Sequence, residues 1–143
     1  MSRNANTVLA DITSFVFFSE LFIQSELPYS FDSQKEHPDL KWIPITLIDK
    51  WILDSDQDSS ELVKWVREFN LELAENDSWR ILFAGHSFVW QLHNYFLVHT
   101  WDQTAATNGG YFNHYLLQYN ALHQLVDIYA IGQTGINTSI YVD

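Results

Sequence analysis

Five histidines, His86, His93, His99, His114 and His123, fall in the second half of the chain together with Asp127. Imidazoles and carboxylates bind metals and move protons near neutral pH, so their spacing decides what chemistry to expect. His86 and His93 lie seven residues apart, which on a helix separates them by about 10 Å along the axis, too far to grip one ion. His114 and His123 are nine apart and point to opposite sides of a helix. The chain has no His-x-x-x-His and no His-Glu-x-x-His, the spacings that place two ligands on one helical face. A metal or ligand site would have to be assembled across elements from His93 or His99 with His114 and Asp127. The spacing favours the plainer reading, that these imidazoles are hydrogen-bonded residues in or beside the core, with no cofactor.

Two further motifs fall short of chemistry. Gly85-His86-Ser87 begins like a nucleophile elbow, but Val89 stands where the second glycine is needed. Asp54-Ser55-Asp56-Gln57-Asp58 alternates carboxylates like a calcium loop, yet Ser59 and Trp65 occupy the positions of its turn glycine and bidentate glutamate. No catalytic residue is assigned.

Charge carries the remaining signal. The net charge is −11, and residues 81–143 contain three acids and no Lys or Arg. Phosphate backbones and anionic lipid surfaces are bound through Lys and Arg, so neither nucleic acid nor an acidic membrane is the expected partner. From Asp54 to Asp77 eight acids (Asp54, Asp56, Asp58, Glu61, Glu68, Glu72, Glu75 and Asp77) face only Lys64 and Arg67. Such a face can steer a basic protein into contact, and it can also serve only solubility.

These residues need elements to carry them. The apolar spacing of Leu9, Ile12, Phe15, Val16, Phe22 and Ile23 predicts a helix over residues 7–27, ended by Pro28. An irregular connection to Pro44 and a short helix over about 46–53 follow. Asp58 and Glu61 have capping-box spacing, and Leu62, Trp65, Val66, Phe69 and Leu73 mark one face of the helix they would start. In Tyr111 to Ile131, Phe112, Tyr115, Leu116, Tyr119, Leu122, Val126 and Tyr129 align at helical spacing, with Gly132 as the C-terminal cap. The tail 135–143 reads as a short strand.

Ile81 to Trp101 has no Asp, Glu, Lys or Arg. Its seven polar residues speak against a membrane span, where each would need an internal partner. The preferred reading is an extended approach over 79–84 and then a buried helix; the alternative is strands turning at Gly85 or at His93-Asn94.

At 143 residues and 47% apolar composition the chain is one globular domain, spanning 1–143. The expected fold is mainly α, a compact helical domain with a small strand pair; the alternative is α+β with a β-meander at 79–101. Absence of cysteine fits a reducing compartment, and the N-terminus lacks the pattern of a secretion signal, so a cytoplasmic location is expected. The expected function is that of a non-catalytic acidic interaction module (inhibitor, immunity-type antagonist, adaptor or assembly factor) for a basic protein surface. The alternative is a small metal- or ligand-dependent enzyme with a histidine-lined aromatic pocket. Aromatics in residues 27–44 would suit a homodimer.

Overall fold

Extended strands, not helices, make up the described part of the second half of the chain. In the computed structural model, which describes residues 13–32, 40–72, 79–103, 111–133 and 137–140, four long strands follow one another: β4 (Trp79–Trp90), β5 (His93–Gln103), β6 (Tyr111–Tyr119) and β7 (Leu125–Gln133). They pair antiparallel in sequence order. Two short strands, β1 (Ile23–Gln24) and β3 (Lys41–Trp42), share the outer edge of β4, β1 parallel to it and β3 antiparallel, which completes a six-stranded mixed sheet. A separate two-stranded sheet joins β2 (Tyr29–Asp32) to β8 (Asn137–Ile140).

The expectation of a mainly helical fold is therefore wrong, and the segments expected to form its centre are sheet. The described helices are short: α1 (Phe15–Ser19), α2 (Ile45–Ile48) running into a π-helical turn (Asp49–Leu53), and α3 (Glu61–Glu72). The expected 7–27 helix is described only from residue 13 and contains α1 alone before the chain extends into β1. Phe15, Phe18 and Phe22 are its buried residues, while Val16 and Ile23 are exposed.

The misreading has a physical cause. Over its centre the sheet buries apolar residues on both faces, so its strands carry apolar residues at consecutive positions, and a continuous apolar run contains helical spacings by default. On one face Leu82, Ala84, Phe96, Val98, Tyr115, Leu117, Tyr119 and Leu125 meet Phe15, Phe18, Leu47, Ile52, Leu62 and Val66 of the helical layer. On the other, Phe88, Tyr95, Leu97 and Leu116 are covered by Leu27, Tyr29 and Ile131.

The turns gave no warning either. Gln91 and Leu92 join β4 to β5 with φ of 48° and 65°, the doubly left-handed geometry for which Asn-Gly is the usual signal. The β6–β7 turn lacks Gly and Pro as well. Asn120 organises it: its side-chain oxygen accepts the backbone N–H of Leu122 (2.9 Å) and of Gln124 (3.0 Å).

One irregularity sets the sites. Ala84 pairs with Val98 and Ser87 with Phe96, so Gly85 and His86 together oppose Leu97 in a β-bulge. The bulge turns His86 to the sheet edge, where it shares a 2.7 Å hydrogen bond with the Ser25 hydroxyl and packs against the Tyr29 ring at 4.5 Å. Beyond it Phe88 and Trp90 lie on the face away from the helices.

The acidic segment also differs from expectation at its helix start. The N-terminus of α3 is capped by Ser60, whose hydroxyl accepts the Leu62 N–H at 3.2 Å. Asp58 instead forms a 2.6 Å ion pair with Arg67.

Candidate functional site

The acids of the 49–58 segment are held in place by a frame of buried and half-buried rings. The π-helical turn closes with the Asp54 N–H donating to the Asp49 carbonyl at 3.0 Å. The Tyr119 hydroxyl donates to the Trp51 carbonyl at 2.5 Å and the Trp51 indole N–H donates to the Thr13 carbonyl at 2.9 Å. Phe15 sits edge-on to Trp51 and stacks flat on His123, with ring centroids 4.0 Å apart. The Gln57 amide donates to the Val126 carbonyl at 3.2 Å, tying the loop to the start of β7.

Between the loop and the β6–β7 turn this frame leaves an open cleft of about 620 Å³. Asp54, Asp56 and Lys50 line it with Trp51, His123 and Gln124. Four acids (Asp49, Asp54, Asp56, Asp58) and Lys50 make the local charge −3 over residues 49–58. Val126 lines it and is 40% exposed, and Leu122, next to the lining residue His123, is 79% exposed. Burial pushes the Tyr119 phenol well above its ordinary value of 10, so this hydroxyl keeps its proton and remains a structural donor under the cleft.

The eight acids expected to bind a partner are placed unequally. Asp54 and Asp56 line the cleft. Asp58 is exposed but paired to Arg67. Glu61 and Glu68 are exposed on α3, where Lys64 and Arg67 alternate with them, so that over 61–72 three acids face two bases and the net is only −1. Glu72 ends α3, and Glu75 and Asp77 lie outside the described residues. Among the described residues the negative charge is thus concentrated in the loop before the helix. Sequence reasoning missed Trp51, His123 and Tyr119 as parts of this place, because the contacts that bring them together join segments about 70 residues apart.

The four residues considered for a metal separate into two pairs. His99 and His114 are directly opposite on β5 and β6, 0% and 1% exposed, with their Nδ1 atoms 2.7 Å apart. That distance holds one hydrogen: one imidazole donates through Nδ1–H, and the other accepts and carries its hydrogen on Nε2. His93 and Asp127 belong to a different cluster, centred on Gln118. The Gln118 amide donates to His93 Nδ1 at 2.7 Å, and Asp127 pairs with Gln118 across β6 and β7. Among the described residues no three His, Cys, Asp or Glu are grouped to hold a metal ion. The buried pair offers no surface on which a substrate could meet it.

No family model matches the chain, and neither a curated protein nor a solved structure matches it. Among the described residues no helix is long and apolar enough to cross a membrane.

Proposed function

We propose that the chain is a non-catalytic binding protein that receives a basic segment of a protein partner in the cleft between residues 49–57 and the β6–β7 turn. The observation that carries this reading is the joint lining of one cleft by Asp54 and Asp56 with Trp51 and His123. Carboxylates there attract Lys or Arg and raise the encounter rate. The rings and the exposed Leu122 and Val126 supply apolar anchoring of the kind that dominates interface energy. The hydrogen bonds under Trp51 and Gln57 hold the lining in place before binding, which lowers the ordering cost of association. An inhibitor, an immunity-type antagonist, an adaptor and an assembly factor all fit this mode of binding.

The test is charge reversal. A basic partner captured from the native host is identified and purified, and its association rate is measured against ionic strength. Asp54→Lys with Asp56→Lys should slow association about tenfold or more at low salt and flatten its salt dependence. An unchanged rate and salt slope in that double variant would refute the reading.

A further inference from the structure

The sheet face away from the helices is only partly covered. Leu27 and Tyr29 pack over Phe88, Tyr95, Leu97 and Leu116; toward the Gln91–Leu92 turn, among the described residues, the face carries exposed groups. Trp90 of β4 is 37% exposed there and Tyr129 of β7 is 43% exposed. His93, Gln118 and Asp127 lie between them on the intervening strands and on β7, as the pairings Trp90 with His93, Tyr95 with Gln118 and Gln118 with Asp127 require. Trp90 and Tyr129 stand three strands apart and four residues apart along the sheet, since Tyr129 is level with Leu116 and Leu97 while Trp90 is level with His93, a diagonal of about 19 Å at the usual strand spacing and rise.

The polar groups on this shelf are fixed by one another. The Tyr129 hydroxyl donates to the Gln118 side-chain oxygen at 2.7 Å, and the Gln118 amide donates to His93 Nδ1 at 2.7 Å. His93 is therefore the Nε2–H tautomer, with that N–H as its remaining donor. The Gln118 amide has a second N–H. Asp127 accepts the Ile128 N–H through Oδ1 at 2.9 Å and also interacts with the Tyr129 hydroxyl, so its carboxylate is held within the same cluster. The shelf thus offers alternating donors and acceptors, set in advance, between two exposed rings.

The chemistry of a fitting ligand follows. No Lys or Arg occurs after Arg80, and Asp127 is the only charged group in the cluster, so a phosphorylated or sulfated ligand is disfavoured. A compact organic cation requires rings converging on one point, whereas these rings are spread across four strands. A neutral, extended ligand with apolar C–H faces and many hydroxyls matches both the rings and the polar groups. We propose that this shelf binds a neutral oligosaccharide, with Trp90 and Tyr129 as stacking platforms and His93, Gln118 and Asp127 as hydrogen-bonding groups.

The experiment is a titration of the full ¹⁵N-labelled chain with soluble neutral oligosaccharides of glucose, xylose and N-acetylglucosamine. A sialylated oligosaccharide and tetramethylammonium serve as comparison ligands. At least one neutral saccharide should shift the Trp90 indole and Gln118 amide resonances saturably, with little dependence on salt. Trp90→Ala and, separately, Tyr129→Ala should each weaken binding roughly tenfold, and Gln118→Leu should weaken it while the remaining amide spectrum stays native. The proposal is overturned if no neutral saccharide shifts these resonances at millimolar concentration, if Trp90→Ala and Tyr129→Ala are both native-like and bind normally, or if only a comparison ligand binds. The acidic cleft lies on the other side of the sheet, so Asp54→Lys with Asp56→Lys should leave saccharide binding intact.

Discussion

Gly85 lies beneath the ring of His99: a Cβ added there would stand 2.6 Å from His99 Nε2 and 2.8 Å from the Leu97 carbonyl oxygen. The bulge that contains Gly85 thereby makes room for the buried His99–His114 pair, and the second close atom is backbone, which cannot swing aside. Gly85→Ala should destabilise the domain by about 2–3 kcal/mol, as overpacking of a filled interior does. Urea unfolding measures this. A loss below about 0.5 kcal/mol would show that the pair does not depend on the glycine.

The β4–β5 turn predicts a gain. Gln91 and Leu92 both have positive φ, an arrangement unfavourable for side chains with a Cβ and suited to Asn-Gly. Replacing Gln91-Leu92 by Asn-Gly should raise stability by about 1 kcal/mol and also remove a Leu that is 78% exposed. Thermal melts of the two chains provide the comparison, and a lower melting temperature in the variant would contradict the turn geometry.

Tyr119 predicts a response to alkali. Its phenol is uncharged when protonated, and burial raises its folded-state pKa well above the ordinary 10. The folded chain therefore keeps this proton where the unfolded chain has lost it. The stabilising contribution is fully present below about pH 10 and declines as pH rises from there toward the folded-state value. Tyr119→Phe should remove that part of the alkaline loss. It should also lower stability at neutral pH by about 1–3 kcal/mol, because the Trp51 carbonyl loses its donor. Denaturant unfolding of both chains across the alkaline range reads both effects.

The start of α3 distinguishes its cap from its ion pair. Ser60→Ala should cost about 1 kcal/mol, since the hydroxyl satisfies the Leu62 N–H. Asp58→Asn should cost about 0.5 kcal/mol or less, because the pair with Arg67 is solvent-exposed, 50% on one side and 74% on the other. Reversal of that order in equilibrium unfolding would restore Asp58 as the cap.

The parts of the fold that were legible in the sequence are those where local signals and tertiary packing agree. Residues 46–53 are helical, as expected, through α2 and the π-helical turn, and the β-branched tail contains β8. Leu62 and Val66 bury the face of α3 that their spacing marks. Tyr111 to Ile131 failed because Tyr115, Leu116, Leu117 and Tyr119 are buried alike, which erases the polar alternation of an exposed strand and leaves a helix-like spacing. Its turn at Asn120–Gln124 depends on an Asn side chain and a left-handed His123, not on glycine. Of the candidate site, the acidity of 54–58 was legible, whereas the cleft beside it was not: Gln57 reaches Val126 and Tyr119 reaches Trp51 only once the sheet has formed.

In the proposed binding mode the 49–57 loop and the β6–β7 turn together receive a basic protein segment. Hydrogen exchange on the complex with the captured partner, compared with the free chain, maps that contact residue by residue. Slowed exchange is expected to concentrate at residues 49–57 and 120–126, with no change at Trp90 to His93. Slowed exchange elsewhere, with those two segments exchanging as in the free chain, would contradict it.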